Sequence, residues 1–164
     1  MTNELSIREA TLADIATLVN HRRWMFEEMA ALRGAQADTS EMAEAYSRYL
    51  AQHLGGIIRA WVVEEGGKII ASGAVLFYDW PPRPKDLTGR GALLHSVYTA
   101  PEYRRLGLAR RIAQTMVEAC RDLGLRTITL HASDAGRPLY ESLGFNPTSE
   151  MRLTFEDDTT RQNS

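Results

Sequence analysis

Between Tyr103 and Arg111 the chain reads YRRLGLARR, four arginines around a glycine and an alanine, and then runs into an apolar-periodic segment. A loop of small residues entering a helix leaves backbone N–H groups unpaired and aimed outward, and the helix dipole adds positive potential there. Such a place suits a phosphate or pyrophosphate. Gly107 and Ala109 would let an anion approach the backbone, while Arg104, Arg105, Arg110 and Arg111 offer guanidinium donors. A solvated basic helix start explains the same charge pattern. Arginines at a helix N-terminus oppose the dipole, however, and a bound anion would relieve that conflict. Competing phosphate motifs fail: Gly66-Gly67-Lys68 is followed by Ile69 rather than Ser or Thr, and no G-x-G-x-x-G follows a strand.

Other reactive residue types give weaker signals. Histidines at 21, 53, 95 and 131 lack paired metal spacing, so no catalytic metal is expected. Ser133 and Asp134 lie near His131, but without a G-x-S-x-G elbow they do not suggest a hydrolase triad. Cys120 is the single cysteine and falls on an apolar stripe, which reads as core and excludes an internal disulfide. The stretch HRRWMFEEMA, from His21, is either a solvated face with a core stripe or part of a wall carrying Arg22, Arg23 and Glu28. A net charge of −2 gives no global attraction to nucleic acid or anionic membrane, so anion recognition must be local. No apolar run approaches the ~18 residues of a membrane span, and the N-terminus lacks a signal-peptide pattern. A cytoplasmic protein is expected.

The elements that would position these residues follow from periodicity. LSIREAT reads as a first strand, and Thr11 with Asp14 as the cap of a helix carrying Ile15, Leu18, Val19, Met25, Phe26 and Met29. Asp38 and Glu41 open a second helix through Met42, Tyr46 and Leu50. Two strands flank the Gly66-Gly67 turn. The proline-rich segment from Asp79 to Gly91 is a loop, a surface connection or a substrate gate. ALLHSVYT is strand-like, and Ile112, Ala113, Met116, Val117, Cys120 and Leu123 form the strongest helical stripe, ended by Gly124. RTITLHA reads as a buried strand, DAGRPLYESLGF as a short helix and SEMRLTF as a last strand. The order β-α-α-β-β-β-α-β-α-β predicts one mixed α/β domain over 1–164, with a core over about 4–155 and a polar tail from 156. The strand–helix–strand unit from Ala92 to Ala132 predicts two parallel strands.

With that frame, Arg104, Gly107 and Ala109 match R/Q-x-x-G-x-G/A, and the chain resembles the GNAT superfamily of acyl-CoA-dependent N-acyltransferases. VYTAPEYRRLGLARRIAQTMVEACRDLG is similar to that family's signature strand, loop and helix, and LHASDAGRPLYESLGF to its next strand and helix. The resemblance implies a mostly antiparallel sheet with helices on both faces and acetyl-CoA as the acyl donor. It implies that Val97, Tyr98 and Thr99 offer backbone groups to the pantetheine arm. The amides of Arg105, Leu106, Gly107, Leu108, Ala109 and Arg110 would hold the pyrophosphate. Ser133 would be a further cofactor contact, and Tyr140 would stand near the cofactor sulfur.

Transfer from a thioester to an amine passes through an oxyanion that a backbone N–H near Val97 could stabilise. Tyrosine, neutral at pH 7, can protonate the leaving thiolate, so Tyr140 is the expected acid. Glu28, Asp79, His95 and His131 are the candidates for the acceptor side and for taking up the amine proton. In relatives that acetylate protein N-termini a glutamate does this. Its place here falls near Ile128, which cannot. The expected acceptor is a primary amine of a small molecule or peptide. A protein N-terminal or lysine acetyltransferase is the alternative, and a non-catalytic CoA-binding module the alternative of another class. A homodimer is common among proteins this one resembles.

Overall fold

In the computed structural model, which describes residues 4–155, five strands form one sheet in chain order. They are β1 (Leu5–Glu9), β2 (Ile58–Glu65), β3 (Lys68–Asp79), β4 (Arg90–Thr99) and β5 (Ile128–Leu130). The first four pair antiparallel, and β5 pairs parallel with β4. The helices are α1 (Ile15–Ala31), α2 (Ser40–His53), α3 (Leu108–Asp122) and α4 (Arg137–Ser142). The mixed sheet and the parallel β4–β5 unit match the reading of the sequence.

Alternation along β2 and β3 assigns the two faces. Ile58, Ala60, Val62 and Ala74 join Leu18 and Val19 of α1 and Tyr46 and Leu50 of α2 in one buried cluster. The alternate residues turn to α3, whose Ile112, Ala113, Met116 and Cys120 are all fully buried. Gly73 lies on that side. A Cβ there would stand 2.7 Å from Ile112 Cγ2 and 2.9 Å from the Met116 methyl, so only glycine lets α3 approach this closely.

The entry to α1 is tied electrostatically. Asp14 accepts hydrogen bonds from the Thr11 backbone N–H at 2.7 Å and from Arg8 Nη1 and Nη2 at 2.8 and 3.0 Å. The Arg8 hydrogen bonds, foremost, pull its carboxyl down to about 2.

Two elements differ from the sequence reading. β5 covers only Ile128–Leu130 and is half-exposed rather than buried. The expected last strand over 149–155 is absent: those residues form no strand, and Met151, Leu153 and Phe155 are exposed. Their alternation satisfies the pattern of a strand, but a strand also needs a neighbouring ladder, which a local pattern does not supply. The expected polar tail, 156–164, lies outside the described residues. The chain divides into two compact units, up to His131 and from Ala132 onward. The first holds the whole sheet with α1, α2 and α3, the second holds α4.

Candidate functional site

Strand β4 changes character halfway along. From Arg90 to Leu94 it is paired on both sides, with β3 and, at Ala92, Leu93 and Leu94, with β5. β5 stops at Leu130, opposite Leu94, so among the described residues no strand borders His95–Thr99 on that side. The β3 ladder is also interrupted. Ser72 pairs with Tyr98 and Ala74 with His95, leaving Ser96 and Val97 opposite the single Gly73. Ser96 takes φ 53, a left-handed conformation uncommon for serine. This is a β-bulge, which breaks the ladder and re-aims side chains. The Thr99 hydroxyl, at the end of the open half, is buried with no hydrogen-bond partner among the described residues.

The loop after β4 turns through Pro101–Tyr103 and enters α3 at Gly107, whose φ is 78. Arg105 is also left-handed, at φ 66. No side chain caps α3, and its first backbone bond runs from Arg111 N–H to Gly107 O. The N–H groups at the very start of the helix, those of Leu108 and Ala109, precede the first such bond and therefore have no intrahelical acceptor. A Cβ built on Gly107 meets nothing within 4 Å, so the space outside this turn is open. Amides without an intrahelical acceptor, a positive helix end and room beside a glycine suit a phosphate group.

Arg104 does not face that space as a free cation. Its Nη2 donates to both Glu28 carboxylate oxygens at 2.8 Å, and its Nε donates to Thr99 O at 3.0 Å. It braces the loop against α1 and the end of β4. Glu28, expected on the acceptor side, is thereby occupied in an ion pair.

The α1 side of β4 is polar. His21 is 2% exposed, its Nδ1 lies 2.7 Å from Ser72 Oγ, and its ring packs against Tyr98 and Trp24. Burial pushes this imidazole down to about 4. One residue on, Arg22 Nη1 donates to Ser96 Oγ at 2.6 Å, and His95 Nδ1 lies 2.9 Å from the same hydroxyl. Burial, then the Arg22 charge, lowers His95 to about 4 as well. It is neutral at pH 7 and a weak acceptor for an ammonium proton.

In the second unit, Ser133 Oγ accepts the Gly136 backbone N–H at 3.1 Å. Tyr140 packs edge-on against Phe145, with ring centroids 6.0 Å apart. Burial raises the Tyr140 phenol above its ordinary range, so it holds its proton at neutral pH.

Of the remaining candidates, Asp79 pairs with Arg90, about 17 Å from His95 along β4 at ~3.4 Å per residue. The structure sets it apart from the bulge. His131 directly follows β5 and is exposed. Spacing could not reveal His21 and Ser96. The partner of His21 lies 51 residues away, and no glycine or proline marks the bulge in the sequence of β4. Arg22 appeared only as one of several charges on its helix.

A strand with an open half is thus followed by a glycine turn into an uncapped helix. The Acetyltransferase (GNAT) family matches residues 16–145, and the chain belongs to that family. It is 28% identical to a predicted acetyltransferase from Clostridium acetobutylicum solved with acetyl-CoA, at a TM-score of 0.81 over 98% of this chain and 100% of that one. A GCN5-related N-acetyltransferase from Ralstonia eutropha is 26% identical, at a TM-score of 0.84 over 93% and 99%. By sequence, N-acetyltransferase family 8 member 3 of Rattus norvegicus is 29% identical over 71% of this chain and 49% of its own length. The chain thus spans about half the length of the rat N-acetyltransferases it matches. Glucosamine 6-phosphate N-acetyltransferase of Trypanosoma brucei brucei is 28% identical over 60% of this chain and 66% of its own. Among the described residues no helix is long and apolar enough to cross a membrane.

Proposed function

We propose that this chain transfers an acetyl group from acetyl-CoA to a primary amine of a small molecule or peptide, by direct attack of the amine. The observation that carries the reading is the Gly107 turn, with φ 78 and open space around it at the uncapped start of α3. Bound acetyl-CoA would supply the acetyl group as a thioester. The amides from Arg105 to Arg110 would hold its pyrophosphate, and Arg104, tied to Glu28 and Thr99 O, would keep the loop in position. The open half of β4, Val97 to Thr99, would hold the pantetheine arm, and the partnerless Thr99 hydroxyl supports ligand binding there. Ser133 is a further candidate contact.

The Val97 N–H, on the bulge, is our candidate for meeting negative charge that develops on the acyl oxygen. Tyr140 keeps its proton at neutral pH and is our candidate for donating it to the departing sulfur. His95, lowered to about 4, is too weak a base for the amine proton, so the amine would arrive uncharged or lose its proton to water. The glucosamine 6-phosphate N-acetyltransferase among the relatives favours a small-molecule acceptor over a protein.

Thiol release from acetyl-CoA, screened over amino acids, polyamines, aminoglycosides and peptides, tests the activity. Gly107→Glu should lose acetyl-CoA binding while its circular dichroism stays unchanged; retained affinity sinks the cradle. Tyr140→Phe should lower turnover by about 100-fold or more with acetyl-CoA affinity preserved. Unchanged turnover removes Tyr140 as the acid. A panel in which no amine consumes acetyl-CoA would leave a CoA-binding module.

A further inference from the structure

The arginines that brace this fold have carboxylate partners: Arg8 with Asp14 and Glu64, Arg23 with Glu27, Arg59 with Glu9, Arg104 with Glu28. Arg22 is different. It is half-buried, and among the described residues no carboxylate lies within ion-pair distance of it. Its guanidinium carbon stands 5.0 Å from the Phe26 ring centroid and 4.7 Å from that of Tyr46. Its Nη1 is fixed on Ser96 Oγ at 2.6 Å, and its Nε is buried without a hydrogen-bond partner. Two rings and a serine thus hold a cation that, among the described residues, no carboxylate compensates and that keeps one donor unmet. An unmet buried donor beside a charge is costly, and such cost concentrates where a ligand later relieves it.

The location gives this arrangement meaning. Ser96 is the left-handed residue of the β4 bulge, one position before Val97. Arg22 therefore sits on the α1 side of the strand segment that the proposed reaction uses. We infer that Arg22 binds a carboxylate on the acceptor, so that the preferred substrates are amines that also carry a carboxyl group. A single guanidinium, with no second cation joined to it among the described residues, matches the one charge of a carboxylate. A phosphate monoester, carrying close to two charges, calls for more donors than this cluster holds. The inference rests on the acetyltransferase reading, and the phosphorylated substrate in a relative's name is a direct competitor to it.

The test compares pairs that differ by one carboxyl group: phenylalanine with phenethylamine, and glutamate with 4-aminobutyrate, the latter pair retaining one carboxylate as a distance control. Ethanolamine phosphate and glucosamine 6-phosphate serve as phosphate probes. Thiol release gives kcat/KM. Calorimetry with N-acetylphenylalanine against N-acetylphenethylamine reads binding without any turnover. We expect phenylalanine and its acetyl derivative to be favoured by about tenfold or more. Arg22→Met should erase that preference without changing acetyl-CoA affinity, and Arg22→Lys should retain part of it. Should Arg22→Met fail to fold, Ser96→Ala, which frees Nη1, should weaken the preference instead. Equal use of the phenylalanine pair, a preference that survives Arg22→Met, or selection of the phosphate probes alone overturns the inference. If no amine is acetylated, the activity reading falls, and calorimetry still decides the carboxylate site.

Discussion

The two faces of the sheet solve different problems. Toward α3 the contact is mostly apolar, with Ile112, Ala113, Met116 and Cys120 fully buried and Gly73 removing its side chain to admit them. Toward α1 the sheet buries His21 against Ser72 and sets Arg22 against Ser96. Polar groups in such places stabilise less than hydrocarbon and cost more when a partner is lost. The polar face is also the one that meets the bulge and the open half of β4. One face fixes the sheet, and the other spends part of that stability to hold polar groups in defined positions.

That contrast can be broken experimentally. Met116→Ala opens a cavity on the α3 face and should cost about 2–5 kcal/mol in denaturant unfolding, with no change in the pH dependence of stability. The α1 face should instead control the acid limb. His21 folds with its pKa depressed from 6.5 to about 4, so the unfolded chain binds the extra proton between those values. Its contribution is fully present above pH 6.5 and declines as pH falls toward 4, at up to ~1.4 kcal/mol per pH unit. His21→Gln, which can still reach Ser72, should flatten that slope by about one proton. An unchanged slope would place the titration elsewhere. The smallest effect belongs to the rim: Arg104→Ala removes an exposed ion pair and should change stability by only about 0–1 kcal/mol. It should weaken acetyl-CoA binding more visibly, because the loop loses its brace. If stability falls and binding does not, Arg104 is a structural tie alone.

The α3 face was readable because its information is local. A stripe at helical spacing and a glycine before it identify α3 and its turn, and the helix forms over Leu108–Asp122 much as the stripe requires. The polar face was not readable for the opposite reason. His21 acquires its meaning from a serine 51 residues away, Arg22 from one 74 away, and Ser96 from a shift in register. The capping residue Asp14 lay between these cases: its spacing from Thr11 was visible, its pairing with Arg8 was not. The segment 149–155 shows the limit of pattern alone. Met151, Leu153 and Phe155 alternate as a strand would, yet pairing is a property of two segments.

The early end of β5 also has a kinetic consequence. Amides of Ala92, Leu93 and Leu94 lie between two neighbouring strands, whereas among the described residues those of His95 to Thr99 have a neighbouring strand on one side only. Hydrogen exchange should therefore divide β4 near Leu94, slow before it and fast at alternate positions after it. Adding acetyl-CoA should carry the slow zone forward along the strand, so that the binding event is recorded as a moving boundary in time within one element.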